Sequence, residues 1–323
     1  MNWKTGVSAL ILILGAFLAA RPLSADRPVS RPHIFGFRDV TVFSSDLPAT
    51  RVFYRKVLGM PEDRCLTCER ISGERFIVNG WQSIIPLEPV PSPPPPTPPT
   101  PSNLLSRIVF GTDNPRELRR YLTAQNIHVE PPIPKVHPEW DDFFFVTDPE
   151  GNRIYFAPGA PVPWLAPGEP PVVNGLLPGM HLIHAGFIVR DRAATEHFYK
   201  DILGFRPYWH GGMKDDQTDW VSMQVPDGTD WLEFMVNVSP DADQRLRGIM
   251  NHIAIGVPDI HETEKLLKAA GAPVNEEPEI GRDGKWQLNV YDPDLTRVEF
   301  VEYKPAQKPC CSEYTGPHPG PQQ

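Results

Sequence analysis

The sequence predicts an α+β protein of two tandem modules, each made of two paired βαβββ units that close a curved mixed sheet around a cup. Three observations predict it. Residues 39–60, DVTVFSSDLPATRVFYRKVLGM, align without a gap on residues 184–205, HAGFIVRDRAATEHFYKDILGF, at an offset of 145. The same offset lays SRIVFGTDNPRELRRYL (106–122) on NHIAIGVPDIHETEKLL (251–267), and an offset of 144 lays DPEGNRIYF (148–156) on DPDLTRVEF (292–300). Each module is also double within itself. HAGFIVRD and HIAIGVPD both read as a strand entering a helix, and each helix is followed by alternating runs (WVSMQV and WLEFMVNV, WQLNVY and RVEFVEY) that read as strands. A half-module has too small a core to stand alone, so the halves should pair.

In chain order, residues 1–25 read as a signal peptide: Lys4 gives a positive start, Val7 to Ala20 is apolar but short for a membrane span, and Ser24-Ala25 offers a cleavage point. This predicts export to the periplasm or the extracellular space, the alternative being an uncleaved anchor. Residues 33–157 form the first module. Within it, residues 86–101 hold ten prolines in sixteen positions, a stiff polyproline spacer of about 3 Å per residue. A Pro-rich linker (158–179) leads to the second module (180–304), and 305–323 reads as a disordered tail. Cys65 and Cys68 form a lone C-x-x-C, short of a four-ligand zinc site; in an exported chain they read as a local disulfide or a pair of thiols. Cys310 and Cys311 sit in the tail.

The whole chain has 323 residues, 40% hydrophobic and 22% charged, enough for two cores. Its net charge is −9 with no long basic run, which excludes nucleic acid as a partner. Once the signal is removed no stretch is apolar enough to span a bilayer, so the expected partner is a small-molecule substrate. The expected state is a monomer or a homodimer.

Four residues of the second module carry the chemistry. His184 opens the first strand of one half and Glu233 lies on its last strand; His252 and Glu299 repeat this in the other half. A pseudo-twofold relation between the halves would bring the four together. Two imidazoles and two carboxylates suit one divalent ion of Ni, Zn, Co, Mn or Fe, with coordination positions left open. Glu299 stands among Val298, Phe300 and Val301, and Glu233 among Trp231, Leu232, Phe234 and Met235. Carboxylates so placed are costly to bury without a cation.

The runs HAGFIVRD…FYKDILGF, WLEFMVN, NHIAIGVPD and DPDxxRVEFVE resemble the vicinal oxygen chelate superfamily, which includes glyoxalase I and the extradiol dioxygenases. The resemblance spans both modules and is stronger in the second. It implies paired βαβββ units around a metal cup, with ligands on the first and last strands of each unit. The His/Glu/His/Glu set is similar to bacterial glyoxalase I. That implies a lyase or isomerase acting through a metal-bound enediolate on a substrate with vicinal oxygens, Glu299 and Glu233 being the catalytic carboxylates. Asn237 matches a position that glyoxalase I uses toward its thiol substrate, but Ile188 stands where that enzyme has an Arg. His210 and Trp286, with Lys214 and Asp215, are further expected pocket residues, whereas His197 and His261 are expected on helix surfaces.

The first module departs from the pattern. Asp39 replaces His184, Arg107 replaces His252, Tyr155 replaces Glu299, and the fourth position is Ser83 or Glu88 by gap placement. An Arg has no lone pair to donate, so this module is expected to bind no metal and to serve a structural role. An inactive first module also resembles the extradiol dioxygenases, so ring cleavage is the alternative activity and a non-catalytic small-molecule binder the third. No His lies between His261 and Glu299, which removes the acid/base His expected of ring cleavage.

Overall fold

The computed structural model describes residues 30–64, 74–87, 105–130, 143–159, 177 and 179–321. The expected signal peptide, the Cys65/Cys68 pair, the proline spacer and most of the linker lie outside them. The first module runs β1 (Ile34–Phe43), α1 (Leu47–Arg51), β2 (Glu62–Arg64), β3 (Glu74–Ile77), β4 (Ser83–Leu87), β5 (Leu105–Thr112), α2 (Pro115–Ala124), β6 (Phe144–Thr147) and β7 (Arg153–Pro158). The second runs β8 (His181–Ile188), α3 (Arg192–Glu196), β9 (Arg206–Gly211), β10 (Trp220–Gln224), β11 (Trp231–Met235), α4 (Gln244–Met250), β12 (His252–Val257), α5 (Ile260–Ala269), β13 (Glu279–Ile280), β14 (Trp286–Tyr291) and β15 (Arg297–Glu302).

Each module forms one mixed sheet, ordered β2-β3-β4-β1-β5-β7-β6 in the first and β13-β14-β15-β12-β8-β11-β10-β9 in the second. The halves therefore pair within a module and within this chain. In the second module the two opening strands β8 and β12 are antiparallel neighbours at the centre, each flanked by the parallel closing strand of its own half.

The repeated charged turns are helix caps. Asp46 accepts from Ala49 N and Asp191 from Ala194 N, each at 3.0 Å, satisfying donors that a helix start leaves free. After α1 and α3 the chain continues as one wider turn, Val52–Val57 and His197–Ile202, with Leu58 N bonded to Phe53 O and Leu203 N to Phe198 O. The Leu-Gly stops predicted from sequence hold Gly59 at φ 67° and Gly204 at φ 79°, a conformation that favours glycine.

These wide turns reach into the opposite module. Tyr199 donates to Asp148 Oδ2 at 2.9 Å and Tyr54 to Asp292 Oδ2 at 3.3 Å. Next to them Glu150 accepts from Arg190 N and Asp191 N at the start of α3, and Asp294 accepts from Ser45 N before α1. Two crossed clasps thus join the modules. A single apolar core runs between them; Phe110 of the first module meets Phe205 of the second edge-on, ring centroids 5.4 Å apart. Gln82 adds a bridge, accepting from Leu182 N at 2.7 Å and donating to Leu182 O at 3.0 Å.

The tail departs from its expected disorder. Its described residues, 305–321, cross the second module in an irregular path tied by many bonds. Trp209 donates to Cys310 O, Gln224 to Pro317 O and Thr315 N to Tyr208 O, and Tyr314 reaches Asp283. His181 lies buried between Gly320 O (2.8 Å) and Asp230 (2.7 Å). Burial opposes a charge on its ring, but Asp230 outweighs this and raises its pKa. Proline and glycine content marks absence of helix and strand, not absence of partners, and here the aromatic and carbonyl groups of the tail find them. Cys310 and Cys311 form a disulfide between neighbours in sequence.

Asp148 is buried and receives Tyr199, Asn152 N and Nδ2, and Glu150 N. Asp148→Ala strands those donors and should cost about 2–4 kcal/mol, and Tyr199→Phe about 1 kcal/mol, in urea unfolding. Both modules should unfold in one transition. Two transitions with only the first shifted would contradict the crossed clasps.

Candidate metal centre

The four predicted ligands stand on four adjacent strands, β15-β12-β8-β11. Register sets them in two rows. Glu233, Gly186, His252 and Arg297 are opposite one another in the first; Trp231, His184, Ala254 and Glu299 in the second. A pseudo-twofold axis between β8 and β12 exchanges the rows, pairing Glu233 with Glu299, His252 with His184, and Trp231 with Arg297. All eight positions face the concave side, while the alternate residues Leu232, Phe234, Ile253, Ile255, Val298 and Phe300 enter the core.

The ligand atoms converge. His184 Nε2 lies 2.9 Å from His252 Nε2 and 3.3 Å from Glu299 Oε2; His252 Nε2 lies 3.3 Å from Glu233 Oε2 and 3.6 Å from Glu299 Oε2. His184, His252 and Glu299 gather within 4.8 Å of one another, and Glu233 joins through His252. With bonds of about 2.1 Å, two ligands at right angles about an ion lie about 3.0 Å apart, so the spacing fits a divalent ion. Gly186 supports the fit, because a Cβ there would come within 2.0 Å of the His252 ring.

The electrostatics prepare the set. His252 Nδ1 faces Met250 O at 3.3 Å, the arrangement that leaves its Nε2 lone pair toward the centre. Burial, and then the Arg297 guanidinium, push the His252 pKa down to about 4, so the ring is neutral at ordinary pH. Burial would raise the Glu299 carboxyl, but Arg297, His184 and His252 outweigh it and hold it far below the usual carboxylate range. Glu233 is lowered too: against burial, its bond with His252 and the charge of His184 prevail.

A cavity of about 460 Å³ opens on this set, lined by His184, Glu233 and Glu299 together with Trp209, Trp220, Trp231 and Tyr314 among others. The substrate residues expected from sequence are not among its walls. Asn237 is exposed, at φ 62°, and donates to Thr218 O and Asp219. His210 is an exposed residue of β9 tied through its backbone to Ser312. Trp286 packs on the core with its ring against His261. Asp215 is exposed and pairs with Arg282, and Lys214 is exposed. His197 and His261 are exposed on helices, as expected.

Three residues of the surroundings went unread. Arg297 precedes Glu299 by two, so strand periodicity alone puts it on the same face, 3.9 Å from Glu299 Oε2. Lys285 follows Asp283-Gly284 and reads as an exposed turn, yet it is fully buried, with Nζ over the rings of Trp231, Tyr314 and Tyr208 at 4.5, 5.2 and 5.7 Å. Tyr314 belongs to the tail.

In the first module the equivalent positions are Asp39, Arg107, Tyr155 and Ile85. Register decides the last: Thr41, the counterpart of Gly186, is opposite Ile85. Ser83 is instead the counterpart of Trp231 and bonds Asp39, and Glu88 lies outside the described residues. Arg107 stacks over Tyr155 at 5.2 Å. One carboxylate, no imidazole and a guanidinium leave no metal set here.

The family model of the Glyoxalase/Bleomycin resistance protein/Dioxygenase superfamily matches residues 36–156 and 181–300. A lactoylglutathione lyase of Haemophilus influenzae is 29% identical over 127 residues, 39% of this chain and 94% of that protein. A probable chloroplastic lactoylglutathione lyase of Arabidopsis thaliana is 26% identical over 133 residues, 40% of this chain and 38% of that protein. Among solved structures, a variant of homoprotocatechuate 2,3-dioxygenase from Brevibacterium fuscum superposes with a TM-score of 0.58 at 17% identity, covering 89% of this chain and 74% of that one. A 2,3-dioxygenase from a Pseudomonas species gives 0.59 at 16% identity, over 86% and 95%. These two likenesses are of fold.

His252→Ala should remove most bound metal and Arg107→Ala none, by elemental analysis of the purified protein. Gly186→Ala should also empty the site while the far-ultraviolet dichroism stays native; full retention of metal would refute the cradle. Because burial and Arg297 hold the His252 ring neutral down to about pH 4, proton NMR of the chelator-stripped protein should show that ring uncharged at pH 5.5 and charged only toward pH 4; a charged His252 ring at pH 5.5 would refute the shift.

Proposed function

The chain belongs to the Glyoxalase/Bleomycin resistance protein/Dioxygenase superfamily, and we propose that its second module is a metal-dependent lyase or isomerase of glyoxalase type acting on a small molecule with two adjacent oxygens. The observation that carries this reading is the fourth ligand. Glu233 enters the same cup as Glu299 from the opposite outer strand, so a substrate seated at the centre has a carboxylate on each side. The divalent ion held by His184, Glu233, His252 and Glu299 would supply Lewis acidity, making a C–H beside a carbonyl easier to ionise.

The chain's own groups divide the remaining work. His184 and His252 are buried and hold position. Arg297 beside Glu299 disfavours a proton on that carboxyl. Among the described residues no guanidinium pairs with Glu233, whose symmetry-related neighbour is Trp231, and its side chain keeps 15% exposure. This shifts proton transfer toward Glu233 and leaves Glu299 chiefly a ligand. The aromatic walls limit water around the proton being moved.

A ring-cleaving dioxygenase is the second reading, favoured by the two-module likeness to solved dioxygenases. Against it, His184 is the sole histidine among the described residues lining the cavity, so an acid/base imidazole is missing. Export of the mature protein, with the signal removed, remains part of the proposal.

Protein loaded with Ni, Co or Zn should exchange solvent deuterium into an α-hydroxy carbonyl compound. Glu233→Gln should slow this by about a hundredfold or more while retaining metal. Oxygen consumption on catechols by the Fe(II)-loaded protein would replace this reading with ring cleavage. Tight binding without turnover under any metal would replace it with a binder.

A further inference from the structure

Two cations stand beside the centre without a hydrogen-bond acceptor among the described residues: Nζ of Lys285 and Nε of Arg297 are both buried and unpartnered. Arg297 lines the cavity, and its approach to Glu299 at 3.9 Å is too long for a hydrogen bond. Lys285 does not itself line the cavity: its Nζ lies behind the rings of Trp231, Tyr208 and Tyr314, which do, as does Asp283. Trp231 in turn lies against His184, ring centroids 4.8 Å apart.

The buried charges do not balance once the ion is counted. Glu233, Glu299 and Asp283 give −3; Arg297 and Lys285 give +2; the sum is −1. A divalent ion makes it +1. Burial raises the Asp283 carboxyl and lowers the Lys285 ammonium to about 8, which still leaves Lys285 mainly charged at neutral pH. An unbalanced charge in a dry site is costly, and an anionic ligand is what relieves it. Elsewhere Trp209, Trp220, Met235, Ile249 and Val301 line the cavity beside polar Ser222, Gln287, Glu279 and Arg282, and its apolar stretches suit an apolar body on the ligand.

We propose that Arg297, with Lys285 adding positive field from behind the aromatic wall, forms an anion subsite adjoining the metal centre, and that the substrate is a carboxylate with an oxygen on the adjacent carbon and an apolar or aromatic side chain. This rests on the metal-centre reading above and narrows its substrate class.

The test is isothermal titration of the metal-loaded, full-length protein with mandelate and with mandelamide. The amide keeps the hydroxyl and carbonyl oxygens but lacks the charge. Mandelate should bind at least about tenfold more tightly. Arg297→Gln and Lys285→Met should each reduce that preference about fivefold or more, leaving the mandelamide Kd within about twofold and the metal content unchanged. Arg297→Lys, which keeps the charge, should restore part of it. An unchanged preference in both variants, equal weakening of both probes, or no binding of either probe to loaded protein would overturn the subsite. Elemental analysis run in parallel separates the two failures. Protein that takes up no metal refutes the centre; fully loaded protein that ignores the charge refutes only the subsite.

Discussion

The antiparallel pairing of β8 with β12 governs the centre. It places two opening strands side by side, each carrying one histidine, and leaves each closing strand no place but the flank. Gly186 opposite His252 is the tightest point of that pairing, because the imidazole occupies the volume a Cβ would take. A slip of one residue would turn His184 or His252 from the cup to the core face and carry the adjoining carboxylate out of reach. The chemistry of the site is therefore a property of strand register before it is a property of any side chain.

The same scaffold in the first module shows what the register can carry without a metal. Asp39, Ile85, Arg107 and Tyr155 occupy the ligand positions and resolve into local pairs, Asp39 with Ser83 and Arg107 with Tyr155. Its contribution to the second module lies on its other face. Asp148 and Glu150 hold the wide turn and the start of α3, and Gln82 holds the strand that carries His184.

Much of this was readable from residues alone, for identifiable reasons. The duplication exposed the modules, the 2- and 3.6-residue periods exposed strands and helices, and an acidic residue on a closing strand, as at Glu233, is rare enough among apolar neighbours to be noticed. The pseudo-twofold relation then joined four ligands separated by up to 115 positions. What escaped was set by tertiary packing. Lys285 lies in a turn whose composition says surface, and it is buried among Trp231, Tyr208 and the tail's Tyr314. The tail lacks any periodic pattern, so its order depends on carbonyls and rings finding partners in a module already formed. Asn237 was placed by likeness of position and His210 as a nearby polar residue, but a positive φ at one and an outward strand face at the other turn them away from the cup.

The crossed clasps bear on how this protein can be cut. The boundary between Gly159 and Leu177 looks like a natural place to separate a metal-bearing half for engineering. An excised second half would keep all four candidate ligands, yet the Tyr199 hydroxyl and the amides of Arg190 and Asp191 would lose their acceptors, and Phe205 its contact with Phe110. The smallest portable version of this four-residue cup is thus the pair of modules, and a minimal design built on it must carry along the half that lacks the histidines.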